Sequence, residues 1–466
     1  MDVIMNKYST NKTGYNQEVF ILRKSFAILF IGLFSFLQNS FACTTILIGK
    51  NMTKNGCVIL AHNEDMGKDA AGILNYYQGK NHPTGTFIDV PYIKLEQITK
   101  TYSFWGAGNA NNIIGLGVSE KLPYNYNHIL VGMNENGVAL ASNWMNSKDE
   151  NYREVGIRRY AIRQLVLERA KSSKDAVDII TKFIDMYGQA DWSGLTYSVA
   201  DQNEAWVIET TFNQWVAKRI QDNEIWTVAN RFTITDDYDM ASESLVNYAY
   251  NKNWVSFKLK KINFREVYGK LPENEQEYDL GRENYVRKEL EHSKGGIEIE
   301  MIMNVLKYRY QDDKHFQPIL EECWRDYCEE NQIKRPLSSC LTQSSIIATL
   351  HPKYKELGGK MWYLHASPHV GIYFPLYGRL SKIESDYGNK DGQNKNSIWW
   401  EFRFLQEKVD NNYNALIKEF NESQEKVQRQ ILFENKNFEL MNEQNLLKWE
   451  IHQEKLSKMA MEIISY

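Results

Sequence analysis

The 466-residue sequence predicts an α+β fold in which antiparallel strands alternate with helices. Three observations carry this. Two pairs of apolar, β-branched runs are joined through Asn55-Gly56 and Asn136-Gly137, a dipeptide of tight hairpin turns. Two amphipathic stretches then precede four further strand-like runs. From Trp399 to Tyr466 neither Gly nor Pro occurs, and apolar residues recur every three or four positions, as helices require.

Residues 1–24 are largely polar and end in Arg23-Lys24, and an apolar run follows from Phe26 to Leu37, broken only by Gly32 and Ser35. Ser40 and Ala42 place small residues at −3 and −1 of a cut before Cys43. This is the charged n-region, short h-region and small-x-small site of a secretory signal. The apolar run falls well short of the ~20 residues that span a bilayer. The expectation is export to the periplasm or beyond the cell, removal of residues 1–42, and no stable membrane insertion afterwards. A cysteine just after an h-region also marks lipoproteins, where it carries the lipid. Against that stand Ser40, where a lipoprotein signal has an aliphatic residue, and the lack of a flexible tether, because Cys43 leads directly into Thr44-Thr45-Ile46-Leu47-Ile48.

Composition narrows the function. Residues 43–466 are ample for a large buried core. A hydrophobic content of 43% with 13% aromatics excludes a disordered chain. A net charge of −4 gives no polybasic surface, so nucleic acid is not an expected partner. Five cysteines (43, 57, 323, 328, 340) are few for a disulfide scaffold. Cys323, Cys328 and Cys340 are close enough in sequence for a local bridge. A zinc site among them lacks a CxxC pair or a supporting histidine pattern.

Cleavage before Cys43 would leave a residue carrying both a thiol and a free α-amino group. These groups ordinarily titrate near ~8.5 and ~7.7–8.0. One residue then supplies nucleophile and base, the logic of N-terminal threonine hydrolases. The strands Thr44–Gly49 and Cys57–Ala61 form a hairpin, followed by His62-Asn63-Glu64-Asp65 as a polar segment. The hairpin returns Asn63 or Asp65 to Cys43, where a carboxylate would hold the amine by a charge-assisted hydrogen bond. The second pair comprises His128–Val131 and Val138–Ser142, with Asn143 at its end. Helices are expected over Arg158–Ala170 and Ala176–Met186, the latter opened by Ser172 and Asp175 in capping-box style. Leu195–Ala200, Ala205–Glu209, Val216–Ile220 and Ile225–Ala229 form a meander whose last strand delivers Asn230-Arg231.

Seven motifs then occur in order: Cys43-Thr44-Thr45-Ile46, Asn63-Glu64-Asp65, Gly132-Met133-Asn134-Glu135-x-Gly137-Val138-Ala139, Ala205-Trp206-Val207-Ile208-Glu209, Val228-Ala229-Asn230, Thr342-Gln343-Ser344-Ser345 and Ser367-Pro368. Together they resemble the bacterial dipeptidase A family of N-terminal nucleophile cysteine hydrolases, related to choloylglycine hydrolases and penicillin V acylase. The resemblance runs from Cys43 to about residue 425. It implies a four-layer αββα sandwich and amide hydrolysis through a thioester on Cys43. It also implies Asp65 beside the amine, Asn230 as oxyanion donor and Asn143 as a second donor. An arginine after the meander belongs to the pattern; Arg287 is the first candidate and Arg282 the second. No external cofactor or metal is required, since nucleophile, base and oxyanion donors all come from the chain.

One departure stands out. The family reads Arg-Asn-Glu-Asp where this chain has His62-Asn63-Glu64-Asp65. His62 and Asn63 are assigned to substrate binding. A histidine replaces the arginine charge only when protonated, which predicts weaker activity at neutral pH or an acid-shifted optimum. His365 and His369 have helical ligand spacing, but Ser367-Pro368 between them argues against a helix. The organisation read is a signal (1–42), a catalytic domain (43–398) and a helical extension (399–466). The charged face of that extension is read as solvated, with a coiled-coil homo-oligomer contact as the alternative. The function read is an exported cysteine dipeptidase acting on short peptides. The alternatives are hydrolysis of non-peptide amides (N-acyl or bile-acid conjugates) and a lipid-anchored binding protein.

Overall fold

The first hairpin forms as its turn requires, with Gly56 at φ +67 in the left-handed region that glycine enters without a Cβ penalty. Strand β1 (Thr44–Ile48) pairs antiparallel with β2 (Val58–Asp65), Thr45 opposite His62. The computed structural model describes residues 43–466 except 67–69, 91–92, 111–127, 150–154, 191–192, 258, 271–278, 319–333, 389–395 and 442–443. The expected signal, and Cys323 and Cys328 of the three cysteines close enough for a local bridge, lie outside the described residues. Here β2 corrects the sequence reading. His62–Asp65 do not follow the strand as a separate polar segment; they are its second half, every residue buried. Four polar residues persist there because each finds a polar partner, the condition for burying such groups.

Strands β3 (Gly72–Tyr77), β4 (Phe87–Val90), β5 (Ile93–Glu96) and β6 (Phe104–Asn109) follow, none of them anticipated. The second expected hairpin is β7 (Ile129–Asn134) and β8 (Ala139–Met145). Asn134 closes it, its Oδ1 accepting from the Asn136 and Val138 amides at 3.0 and 3.1 Å. Helices α1 (Arg159–Arg169) and α2 (Ser173–Tyr187) lie where predicted. The Ser172 hydroxyl caps α2 by accepting from the Asp175 amide at 3.1 Å. Ile162, Leu165 and Val166 of α1 and Val177, Ile180 and Ile184 of α2 share one core with Leu140, Leu195, Tyr197 and Ile208.

The predicted meander is real for three strands, β9 (Gly194–Ala200), β10 (Ala205–Thr211) and β11 (Gln214–Ile220). The fourth, β12 (Ile225–Val228), leaves that sheet and pairs with β1 instead, Val228 opposite Thr45. This switch carries Asn230 towards Cys43. Next come β13 (Met240–Ala241), α3 (Leu245–Asn251), α4 (Phe264–Tyr268), α5 (Leu280–Glu291) and α6 (Ile299–Lys307). Strands β14 (Thr342–Leu350), β15 (Lys360–His365) and β16 (Phe374–Tyr377) complete the sheets.

The result is a mixed α and β fold of antiparallel sheets. One has the order β12-β1-β2-β14-β15-β16 and the other β13-β11-β10-β9-β8-β7-β6-β3, with β4–β5 a separate ribbon. Strands β1 and β2 rest on β8, and β2 also on β9 and β10, while α1 and α2 contact β7–β11. Helices α5 and α6 contact β12, β2 and β14. No helix among the described residues is long and apolar enough to cross a membrane.

Three helices end the chain: α7 (Ile398–Asn411), α8 (Tyr413–Leu440) and α9 (Leu446–Ala460). Their glutamines cover the edge strand, which would otherwise present unpaired backbone groups. Gln428 both accepts from the Tyr373 amide and donates to its carbonyl, at 2.8 and 3.0 Å, and Gln453 accepts from the Tyr377 amide at 2.8 Å. Glu439 of α8 anchors the same contact, accepting from Lys360 Nζ at 2.8 Å and from the Tyr354 hydroxyl at 2.7 Å. Burial works to raise the Glu439 pKa, but Lys360 and these hydrogen bonds hold it down at about 2. Glu439→Gln, which leaves the Lys360 ammonium buried without a counter-charge, is expected to destabilise the fold by about 3 kcal/mol. Because the folded carboxyl titrates below an ordinary glutamate, the stabilisation is full above ~pH 4.5 and is lost as the pH falls towards 2. Urea unfolding midpoints of both proteins at pH 7 and pH 3 check this; the gap should narrow at pH 3.

Candidate active site

The thiol of Cys43 stands at the head of β1, only 2% exposed. It donates to Glu64 Oε1 at 3.3 Å, and the Asp65 carbonyl lies 4.0 Å away. Strand alternation brings this about. Thr44 is opposite Asn63 and Thr45 opposite His62, so Thr45, His62 and Glu64 share one face and Cys43 turns its side chain to it. Burial pushes the thiol pKa well up, and the charges of Glu64 and Asp65 push it further. With the preceding peptide intact, Cys43 is therefore held as a protonated thiol at neutral pH.

A hydrogen-bonded chain runs from the thiol between the sheets. Glu64 Oε2 lies 3.0 Å from His62 Nε2, and His62 Nδ1 lies 2.7 Å from Thr45 Oγ1. The Thr45 hydroxyl donates to Asn143 Oδ1 at 2.6 Å, and Asn143 Nδ2 reaches the Val228 carbonyl at 3.4 Å. The Cys43 sulfur, a His62 nitrogen and a Glu64 oxygen all fall within 4.8 Å of one another.

On the other side, α5 supplies a buried arginine. Arg282, wholly unexposed, donates from Nη1 to the Cys43 carbonyl at 2.9 Å and to Thr44 Oγ1 at 2.8 Å. Its Nη2 donates to Asn230 Oδ1 at 3.0 Å and pairs with Asp279 at 2.8 Å. Asn230 Nδ2 donates to the Trp144 carbonyl at 2.8 Å, so both ends of its amide are fixed. The neighbouring Glu283 receives the Ala229 amide at 3.3 Å and Arg231 Nε at 3.0 Å, pinning the segment that carries Asn230. Glu209 does the same downstream, accepting from the Thr233 and Ile234 amides at 2.6 and 3.1 Å; burial lifts its pKa to about 7.

Cys43, Glu64, His62, Asn143, Asn230 and Arg282 are thus brought into one linked cluster. Asp65 adjoins it, but its carboxylate is engaged by Arg335 and by the Thr342 hydroxyl at 2.6 Å. Burial raises the Asp65 pKa, opposed by Arg335 and Thr342. Two expected residues sit elsewhere. Asn63 alternates to the opposite face of β2, where it donates to the Leu306 and Leu337 carbonyls at 3.0 and 2.7 Å and accepts from Ser345 at 2.6 Å. Arg287 lies five residues beyond Arg282, about 140° around the helix. It is half exposed and paired with Glu291 at 3.5 Å. The arginine at the cluster is therefore Arg282, the second candidate, and not Arg287. Sequence reasoning missed Glu64, Thr45 and Arg335. The first two follow from alternation once β2 is extended by four residues. Arg335 joins Asp65 from 270 positions away and leaves no local signal.

A strand-head thiol thus lies among buried carboxylates, with its own carbonyl held by an arginine that also fixes the Asn230 amide. The chain belongs to peptidase family C69, whose model matches residues 42–426. A probable dipeptidase of Salmonella dublin is 24% identical over 388 residues, covering 76% of this chain and 84% of that protein. A probable dipeptidase of Latilactobacillus sakei is 22% identical over 405 residues, covering 80% and 82%. A dipeptidase of Bifidobacterium longum is 25% identical over 281 residues, covering 53% and 50%.

Proposed function

We propose that residues 1–42 are removed during export and that the new N-terminal Cys43 hydrolyses short peptides, dipeptides first among them. The observation that carries this reading is the cluster itself: the thiol that donates to Glu64 heads the strand whose first carbonyl is held by Arg282, which also fixes Asn230. The names of the relatives support the substrate class. A four-layer αββα sandwich is supported by the two sheets lying against each other with helices on their outer sides.

In this mechanism the freed α-amine takes the thiol proton, and the sulfur attacks the scissile carbonyl carbon. Asp65 holds the resulting ammonium by its charge. The negative oxygen of the tetrahedral intermediate accepts from Asn230 Nδ2, whose amide plane Arg282 and Trp144 keep fixed. The C–N bond breaks as the ammonium gives its proton to the leaving amine, leaving a thioester on Cys43. The amine then deprotonates a water, which attacks the thioester carbonyl; the acid departs and the thiol is regenerated.

Asn230→Ala is expected to lower kcat about 10²–10³-fold with a smaller change in KM, because the donor acts on charge that develops in the transition state. Steady-state kinetics on a dipeptide panel and on N-acyl amides test the assignment. Faster turnover of dipeptides is expected; preferential turnover of the N-acyl amides would contradict it.

A further inference from the structure

We propose that the cluster of Cys43, His62 and Glu64 is also a zinc site, through which Zn²⁺ reversibly shuts off the peptidase. The proposal rests on the hydrolase reading only for the release of the Cys43 amine. The ligand types and spacings come from the structure. A thiol, an imidazole and a carboxylate, all at most 3% exposed, converge within 4.8 Å. A tetrahedron with zinc bonds of about 2.0–2.3 Å has edges of about 3.3–3.5 Å. Sulfur stands at such a distance, 3.3 Å, from Glu64 Oε1, while His62 Nε2 meets the other carboxylate oxygen, Oε2, at 3.0 Å, so the carboxylate lies between the two other ligands.

The proton inventory points the same way. Thr45 donates to Asn143 Oδ1, so its oxygen accepts from His62 Nδ1–H. That tautomer turns the Nε2 lone pair onto the Glu64 carboxylate, also a lone-pair donor, at 3.0 Å. The two lone pairs thus face one another across this gap, where Zn²⁺ would take both while drawing in the sulfur. The Nδ1–Thr45–Asn143 bonds are the outer support that orients a metal-binding imidazole. On binding, the thiol releases its proton to solvent and the sulfur joins as thiolate. The freed α-amine closes a five-membered chelate as fourth ligand, so the metal engages the nucleophile and the base together.

The experiment uses protein beginning at Cys43. Zn²⁺ is titrated in competition with a chromophoric chelator, and Co²⁺ serves as a spectroscopic probe. The expected result is one Zn²⁺ per chain, a thiolate-to-cobalt charge-transfer band, and activity lost with zinc and restored by chelator. Thr45→Val, which removes only the outer support, should weaken zinc binding about 10–100-fold, and His62→Ala by more. No thiolate band in the unsubstituted protein, or equal zinc affinity in His62→Ala, would overturn the proposal. The cobalt band needs no variant, so a substitution that fails to fold does not decide the matter. Zinc bound with the thiolate band in a protein that cleaves no peptide would uphold the metal site and count against the hydrolase. Full peptidase activity with no zinc bound would do the reverse.

Discussion

Cys43→Ala is expected to lower kcat for dipeptide hydrolysis by at least about 10⁴-fold, while the folded chain survives. The size follows from the role: removing a nucleophile removes the covalent route, and comparable losses in other hydrolases reach about 10⁶. The substitution deletes one sulfur, whose polar contacts among the described residues are Glu64 and the Asp65 carbonyl, so the sheet pairing of β1 is untouched. Cys57 does not substitute for it. That thiol is buried at the start of β2, and burial raises its pKa. Activity retained within tenfold would remove Cys43 from the mechanism.

The second large effect separates two arginines on one helix. Arg282→Gln takes the guanidinium from the buried Asp279 carboxylate and removes hydrogen bonds from the Cys43 carbonyl, Thr44 and Asn230. A loss of about 3–5 kcal/mol in stability is expected, as for other buried pairs stripped of one partner. Where the variant folds, kcat should fall as well, because Asn230 loses the group that fixes its amide. Arg287→Ala, on the exposed side of the same helix, should stay within about 0.5 kcal/mol and leave kcat unchanged. Urea unfolding and dipeptide kinetics on both variants check this; equal effects would show that the buried network does not matter.

Much of this arrangement is legible in the sequence, and the failures have physical causes. The hairpins were readable because Asn-Gly turns and β-branched runs are local signals, and the α2 cap because Ser172 and Asp175 are three residues apart. The end of β2 was not readable. A run of His-Asn-Glu-Asp looks like a loop until the partners that satisfy it are known, and these come from Thr45, Leu306, Leu337 and Thr342. The departure of β12 from the meander was hidden for a similar reason. Its pairing with β1 is a choice between two sheets, made by residues far apart in the chain. Choosing between Arg287 and Arg282 needs a helical phase that the motif does not carry; the burial pattern of α5 supplies it, with Arg282, Glu283, Val286 and Leu290 facing inward.

Several motif residues turn out to build the site without touching the thiol. Asn134 ties the β7–β8 turn to the Leu167 and Ala170 carbonyls at 3.1 and 2.8 Å. Glu209 clamps the chain beyond Asn230 through the Thr233 and Ile234 amides. Gln343 donates to Asn109 at 2.6 Å and to the Ala70 carbonyl at 2.7 Å, and thereby joins the two sheets near Trp399.

The central claim is that Cys43 works from a free N-terminus. Its most direct test is the intact mass of the protein made in a host with its own export machinery, read alongside dipeptide hydrolysis by the same sample. The expected mass begins at an unmodified Cys43, in an active protein. A diacylglyceryl-sized increment on Cys43, or full activity with residues before Cys43 still attached, would contradict it.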